Sequence, residues 1–376
     1  TVAVGAPTEY GDTGSGTMIV SNGTWIGEDF DIEAGGTLTI AGGTAILKPY
    51  EGCFANGCLT VAGGTTTILP YRNTSTAFLA VGTYGTGSVW IVGGPLTLPS
   101  NGLTQVGAAS FFAPGFGQIT ISNGTWECAS VQLVPDAMDG PSSAETGMGV
   151  LTIAGGMSEV WSNLTVGNAA CIGTSVVSVT GGALFVTNAT HNAVLDIGGG
   201  TFTFSSGLVV VDQLVMTNEC GRFIHTGGTL VISSTNMLAD ASAAGDELPN
   251  YWKLRYGFDL FDPTVGVQDP DDDGLINYVE YLAGTDPLDS SDPFRVTAVS
   301  VNGSDFHIDW RCLTPPGSPF AHCLVESSPT VTGAWSSVSG TLTVPTGDFN
   351  IVRTNFVDFG GATNGPSRYY RVRLVP

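Results

Sequence analysis

The stretch Leu38–Leu47, LTIAGGTAIL, holds the pattern that decides the fold: an alternating apolar run, two glycines and a second alternating run. Alternation with a period of two places the apolar side chains on one face of a β-strand. Glycine adopts positive φ without steric cost, so Gly42 and Gly43 mark a sharp corner between two short strands. The stretch therefore predicts a strand–corner–strand unit with one buried face.

The same unit recurs through the first two thirds of the chain, for example as LTVAGGTTTIL, ITISNGTWEC and VSVTGGALFV. The last glycine of each corner falls at positions 23, 43, 64, 94, 124, 156, 182, 200 and 228. One such unit cannot bury its apolar face alone, whereas stacked coils can. Propeller blades would be longer, at about 40 residues. The repeat therefore predicts a right-handed β-helix, that is, a β-solenoid.

The composition restricts the possible partners. Of the 376 residues only 12% are charged, against about 25% in an ordinary domain, and the net charge is −22. Nucleic acid is not an expected partner, because phosphate binding needs clustered Lys and Arg. No apolar run reaches the ~18 residues of a membrane span. The chain begins at TVAVGAP without Met, which suits a mature secreted protein, so we expect an extracellular or cell-surface location.

A longer motif precedes several corners. The stretches FLAVGTYGTGSVWIVGG and LTVGNAACIGTSVVSVTGG both run from a Val-Gly pair through a loop into the Gly-Gly strand. These repeats resemble those of bacterial autotransporter-associated β-strand proteins across about residues 15 to 235. The resemblance implies a secreted β-helix and no particular activity.

The stretch DPDDDGLINYVE, residues 269–280, has the D-x-D-x-D-G-x5-E spacing of an EF-hand calcium loop. In such a loop three carboxylates surround the ion, Gly274 makes the turn, a carbonyl follows, and a final Glu binds through both oxygens. The predicted Ca²⁺ ligands are Asp269, Asp271, Asp273, Leu275, Asn277 (directly or through water) and Glu280. The alternative is a solvated acidic loop. Short helices are predicted on both sides, ending at Gly257 and Gly284.

This segment resembles the thrombospondin type-3-like and dockerin-like calcium segments of secreted bacterial proteins, which implies a second acidic loop upstream. Alignment on Leu248-Pro249 places Lys253 where the final Glu should lie, with Ser242, Ala244 and Asp246 at the first three ligand positions. Because a cation there excludes calcium, we predict that the upstream copy does not bind it. The sequence leaves open whether Asp286, Asp289 and Asp292 bind a second ion.

From Phe294 onward the pattern is again all-β, with strands of five to eight residues separated by Gly, Pro and Ser, as in FRVTAVSV and RYYRVRLV. It predicts a small sandwich. The segments CLVESSPTVTGAWSSV and RYYRVRLV resemble a C-terminal module of secreted proteins from Verrucomicrobia-like bacteria. We interpret its aromatic residues as core rather than as a sugar-binding platform: Trp310, Trp335, Tyr369 and Tyr370.

Seven cysteines are too few for a disulfide scaffold. Two pairs have spacings that suit a disulfide: Cys53 with Cys58 across a tight loop, and Cys312 with Cys323 across the Pro/Gly turn of a hairpin. The alternative is that all seven are small buried apolar residues.

A catalytic constellation is not evident in the sequence. Residues 1–235 contain three basic side chains, Lys48, Arg72 and Arg222, too dispersed for a polysaccharide lyase. Its histidines, His191 and His225, have no acidic partner nearby in sequence.

We therefore predict three domains: a solenoid over 1–236, a calcium-binding linker with short helices over 237–293, and a sandwich over 294–376. The expected function is non-enzymatic and structural, with calcium as a clamp and copies assembling into a homo-oligomer, filament, surface layer or adhesin. The N-terminal Thr1–Val4 strand either pairs with a neighbouring copy or caps its own first coil. The alternative is a carbohydrate-active β-helix, either a polysaccharide lyase or a module that binds cell-surface glycans.

Overall fold

The computed structural model describes residues 2–4, 15–28, 30–48, 53–70, 76–83, 85–99, 101–108, 115–133, 147–168, 170–171, 174–238, 241–291, 294–311, 323–338, 341–343, 353–363 and 368–374. Within them the chain divides into two compact units: Thr1–Gly245 with Leu260–Pro263, and Asp246–Asp259 with Thr264–Pro376. Residues of the predicted linker occur in both units.

The first unit is a β-solenoid built from parallel strands, which confirms the predicted fold class. Its strands are β1 (Val2–Val4), β2 (Thr17–Val20), β3 (Thr24–Glu28), β4 (Phe30–Ile32), β5 (Thr37–Ile40), β6 (Thr44–Lys48), β7 (Cys53–Ala55), β8 (Cys58–Val61), β9 (Thr65–Ile68), β10 (Phe78–Val81), β11 (Thr86–Ile91), β12 (Pro95–Thr97), β13 (Leu103–Val106), β14 (Phe116–Ile121), β15 (Thr125–Leu133), β16 (Met148–Ile153), β17 (Met157–Val166), β18 (Thr174–Val179), β19 (Ala183–Val186), β20 (Val194–Ile197), β21 (Thr201–Phe204), β22 (Leu208–Met216), β23 (Arg222–His225) and β24 (Thr229–Met237).

Each coil contributes a strand to three parallel ladders in a fixed order. The first ladder runs from β2 to β23 through every corner-preceding strand. The second begins at β3 and the third at β1, and both end in β24, which spans the two. Inward-facing residues stack in register along the first ladder and are fully buried: Leu38, Leu59, Val89, Ile119, Leu151, Val177, Phe202 and Phe223. This stack is the continuous core that the alternating pattern predicts.

The glycine corner is itself a ladder, because the corners of successive coils lie directly against each other. A Cβ added to Gly64, which has φ 66°, would lie 2.3 Å from the carbonyl oxygen of Gly43. The amide of Thr65 donates to that same carbonyl at 2.8 Å. Side chains are therefore excluded here both by backbone torsion and by the spacing of the coils.

One corner differs from its predicted position. Gly207, with φ 103°, occupies the corner before β22, and its Cβ position lies 2.4 Å from the carbonyl of Gly182. Gly200 instead precedes β21, at a different corner of the solenoid. The predicted corner at Gly200 is therefore wrong, because the triplet at 198–200 follows an alternating run just as the true corner glycines do.

The triplet instead makes room for a neighbouring loop. A Cβ at Gly199 would lie 2.4 Å from the carbonyl oxygen of Asn168 and 3.1 Å from the Cα of Cys171. The loop packs over this bare backbone, and Cys171 forms a disulfide with Cys220. Sequence spacing missed this bond, since the two cysteines are 49 residues apart.

The predicted Cys53–Cys58 disulfide is wrong, because Cys58 is a free thiol. Cys53 lies in β7 of the third ladder and Cys58 in β8 of the first, so the chain turns a corner between them. Cys128 is also free and is fully buried. Cys312 lies outside the described residues, so the Cys312–Cys323 pair cannot be placed.

Both ends of the solenoid have distinct features. At the first coil, β1 pairs in parallel with β4 of the same chain, so Val2–Val4 extends its own third ladder. At the last coil, the amides of Phe223 and His225 donate to the carbonyls of Ala243 and Phe261. Phe261 also packs its ring 4.4 Å from that of Phe223, which closes the core at this end.

The second unit contains the two predicted short helices, α1 (Asn250–Tyr256) and α2 (Asn277–Ala283), and a 3-10 turn at Val265–Val267. Its strands are β25 (Val296–Asn302), β26 (Asp305–Arg311), β27 (Cys323–Ser328), β28 (Ser336–Ser337), β29 (Thr341–Thr343), β30 (Arg353–Asp358) and β31 (Tyr369–Leu374), and a 3-10 turn at Gly361–Thr363 lies between β30 and β31. They form two antiparallel sheets, in the orders β25-β26-β30-β29 and β28-β27-β31. Trp310 is fully buried in the core of this module, as predicted, whereas Tyr369 is exposed.

Candidate metal centre

The loop between the 3-10 turn and α2 brings three aspartates together. One carboxylate oxygen from each of Asp269, Asp271 and Asp273 lies within 4.8 Å of the others. The loop backbone holds them there, because the amide of Gly274 donates to Asp269 Oδ2 at 3.1 Å and that of Asp273 to Asp271 Oδ1 at 3.3 Å. Gly274 has φ 93°, the left-handed conformation that the predicted sharp turn requires.

The remaining predicted ligands are Leu275, which precedes α2, and Asn277 and Glu280 within α2, and Glu280 is not a member of the 4.8 Å carboxylate group. Leu275 donates its amide to Asp273 Oδ1 at 2.7 Å. Asn277 is fully buried, and its Nδ2 donates to the carbonyl of Val265 at 2.8 Å, which fixes the orientation of its amide group. Glu280 is fully buried one turn later, where Thr285 Oγ1 donates to its Oε1 at 3.1 Å.

Five side chains of the loop each keep one buried oxygen without a protein hydrogen-bond partner. These oxygens are Asp269 Oδ1, Asp271 Oδ2, Asp273 Oδ2, Asn277 Oδ1 and Glu280 Oε2. Buried polar atoms in native proteins are nearly always paired. Three of these oxygens belong to the clustered aspartates, which could hold a hard cation as a shared partner.

The electrostatics of the site favour a cation as well. The pKa of Glu280 is raised to about 7, first by burial and then by the carboxylates of Asp271, Asp273 and Asp269, against the lowering effect of the hydrogen bond from Thr285. Burial likewise raises the pKa of Asp271. Negative charge is thus concentrated where nothing in the loop neutralises it, so these residues can hold a metal ion.

The downstream aspartates are engaged in their own turns. Asp286 Oδ1 accepts from the amide of Leu288 at 3.1 Å, and Asp289 Oδ1 accepts from both the amide and the hydroxyl of Ser291. These Ser291 hydrogen bonds lower the pKa of Asp289. Asp292 lies outside the described residues.

Two contacts at functional groups carried no sequence signal. Thr285 lies beyond the end of α2 and donates to Glu280, and the spacing of the metal loop does not extend that far. His191 places Nδ1 3.3 Å from Asp212 Oδ1, although the two are 21 residues apart. Asp212 is buried and also accepts from the amides of Asn188 and Ala193, so it holds the corner loop that carries the exposed imidazole.

No helix among the described residues is long and apolar enough to cross a membrane. No protein-family model, no curated protein and no solved structure matches this chain. The family resemblances of the repeats and of the metal loop accordingly rest on their sequence motifs alone.

Proposed function

We propose that this protein is a secreted, calcium-stabilised β-solenoid with a structural role at the cell surface. The observation that carries the proposal is the set of five orphaned oxygens in the loop 269–280. Carboxylates, an amide oxygen and one backbone carbonyl are the ligands of Ca²⁺ in EF-hand loops, with Leu275 supplying the carbonyl. The bidentate position of Glu280 favours Ca²⁺ over the smaller Mg²⁺, which demands octahedral geometry.

Calcium acts here as a clamp on the second unit. A single extracellular loop of this kind binds calcium at about 10⁻⁴–10⁻³ M, so it stays saturated outside cells. Binding ties the loop to α2, and α2 packs through Tyr278 and Tyr281 against the cluster around Trp252. The ion therefore stabilises the fold of this segment rather than switching it.

The solenoid supports a self-assembling role. The parallel ladders end at strands with one hydrogen-bonded neighbour among the described residues: β24 on β22, and β2 and β3 on the next coil. Such edges pair readily with further strands. A head-to-tail contact between copies does not close, so it generates a filament. The repeat motif is consistent with the secreted autotransporter-associated β-strand proteins.

Calorimetric titration of calcium into the metal-free protein tests the proposal. We expect one ion per chain, and loss of binding in Glu280→Ala with the solenoid still folded. Absence of calcium binding to the intact chain would overturn it. Incubation with acidic polysaccharides tests the structural role, since release of unsaturated sugar product would show a lyase instead.

A further inference from the structure

The loop that precedes α1 has the same backbone as the metal loop, 27 residues earlier in the chain. Gly245 and Asp272, at equivalent positions, have φ 75° and 58°. Two residues later, Glu247 and Gly274 have φ 68° and 93°. Positive φ is unfavourable for a residue with a side chain such as Glu247. The turn is thus kept in the first loop even where no glycine supplies it.

The hydrogen bonds of the two loops correspond as well. Asp246 Oδ1 accepts from the amide of Leu248 at 3.3 Å, as Asp273 Oδ1 accepts from that of Leu275 at 2.7 Å. Each loop leads into a helix of seven residues that begins with a buried asparagine.

The two helices also end alike, at a glycine in the left-handed conformation. Gly257 has φ 75° and Gly284 has φ 74°. The first loop and its helix are therefore a structural copy of the metal loop and α2.

The copies differ at the final ligand position. Lys253 stands where the second copy has Glu280, and both side chains are fully buried. The Lys253 ammonium forms an ion pair with the carboxylate of Asp246, which is itself 4% exposed. Asp246 is the equivalent of Asp273, one of the orphaned carboxylates in the metal loop. Asp273 Oδ2, which has no protein partner in the metal loop, thus corresponds to Asp246 Oδ2, which lies against the lysine ammonium in the first loop.

We propose that Lys253 is a tethered cation that replaces the metal ion of the first loop. A buried carboxylate needs a positive partner, and either an ion or an ammonium group supplies it. The chain therefore contains two similar loops. In the first, the buried carboxylate is neutralised permanently by Lys253, and in the second, the carboxylates are neutralised by calcium. It follows that α1 folds without calcium and that the first loop takes up no ion.

The native loop tests this directly, by hydrogen exchange on the full-length protein. Lys253→Met removes the charge and keeps the length, so the amides of 250–256 should exchange on the order of a hundredfold faster, with or without calcium, since the buried carboxylate of Asp246 loses its ammonium partner. Asp246→Asn added to Lys253→Met removes the second charge and should recover most of the protection. Unchanged exchange in Lys253→Met, or two calcium ions bound per wild-type chain, would overturn the proposal.

A transplant into the second loop gives an independent test. The triple substitution Asp269→Ser, Asp271→Ala and Glu280→Lys gives that loop the residues of the first loop at the first two ligand positions and at the last one. Its control carries Glu280→Gln in place of Glu280→Lys and so lacks the tethered cation.

In a calcium chelator, amides of 277–283 should exchange at least about tenfold more slowly in the lysine variant than in the control. Circular dichroism of the solenoid confirms that both chains fold. Equal exchange in the two variants would overturn the proposal. The Lys253→Met experiment does not use the metal loop, so its result stands even if the second loop binds no calcium.

Discussion

Thr285 Oγ1 donates a 3.1 Å hydrogen bond to Glu280 Oε1, while Oε2 of the same carboxylate is buried without a protein partner. Oε1 thus accepts the hydrogen bond that fixes the rotamer of the side chain and keeps a second lone pair for an ion, while Oε2 has no protein partner at all. A fixed ligand loses less conformational entropy when the ion arrives. This division of roles distinguishes Glu280 from an acidic residue that is merely solvated.

Glu280→Gln should therefore lower the affinity for calcium by at least about tenfold, or about 1.4 kcal/mol, because an amide offers one oxygen and no charge. Calorimetric titration measures the change. The matched control is Asp289→Asn, whose carboxylate accepts hydrogen bonds from Ser291 and is expected to leave calcium binding unchanged. Equal losses in both variants would contradict the assignment.

The raised pKa of Glu280 predicts that the stability of the metal-free protein falls as the pH rises, whereas its affinity for calcium increases. Its pKa rises from 4.5 to about 7 in the metal-free fold, so folding takes up a proton between these values. The stabilisation from the protonated form is complete below about pH 4.5 and is lost as the pH rises through about 7. Calcium binding requires the carboxylate, so calcium affinity should fall as the pH drops below about 7. Calcium titrations between pH 5 and pH 8 measure this, and a flat profile would contradict it.

The periodicity of the sequence predicts most of the solenoid fold, because the core-facing stack from Leu38 to Phe223 follows directly from the alternating apolar residues and the glycine corners. The prediction of corners from glycine positions is wrong where glycine has another role. Gly199 has no side chain, which leaves room for the loop of Cys171 to pack against its backbone. Neither that approach nor the Cys171–Cys220 bond is encoded by local spacing, since both depend on how coils stack.

In the metal loop, too, local spacing predicts some features, and the packing of the chain decides the others. Its ligands follow from spacing within twelve residues, whereas Thr285 and the carbonyl of Val265 are brought to Glu280 and Asn277 by the packing of the segment. The sequence does reveal the Lys253 substitution, but only the structure shows that the side chain is buried against Asp246.

Gly64→Ala should destabilise the solenoid far more than Gly23→Ala. Both glycines have positive φ, so each alanine costs roughly 1–2 kcal/mol in backbone strain. Only at Gly64 would the new Cβ meet backbone, 2.3 Å from the carbonyl of Gly43, whereas nothing lies within 4 Å of the Cβ position at Gly23. Denaturant unfolding of the two variants measures the difference, and equal losses would show that torsion alone demands glycine here.

Loss of the Cys171–Cys220 disulfide should lower the free energy of unfolding by up to about 4 kcal/mol, the loop-closure value for residues 49 apart. The double substitution to Ser, compared with wild type in denaturant melts, measures this. Cys58→Ser is the control, since its thiol is free and half-buried. A control loss as large as that of the double variant would contradict the role of the bond.

Assembly through the open end of the solenoid should depend on β24. Leu238 donates its amide to Met216 of β22 at 3.1 Å, so strand alternation turns the amide of Thr235 to the unpaired side. Thr235→Pro removes that amide and spares the bonds to β22, as proline on an edge strand does. Val231, which is 46% exposed, offers a second position, where Val231→Lys puts a charge on the edge.

We expect wild-type protein with calcium to form filaments in negative-stain images, and both variants to remain single particles of unchanged stability. Filaments of equal length from the variants would exclude this edge, and single particles of wild type at high concentration would exclude self-assembly.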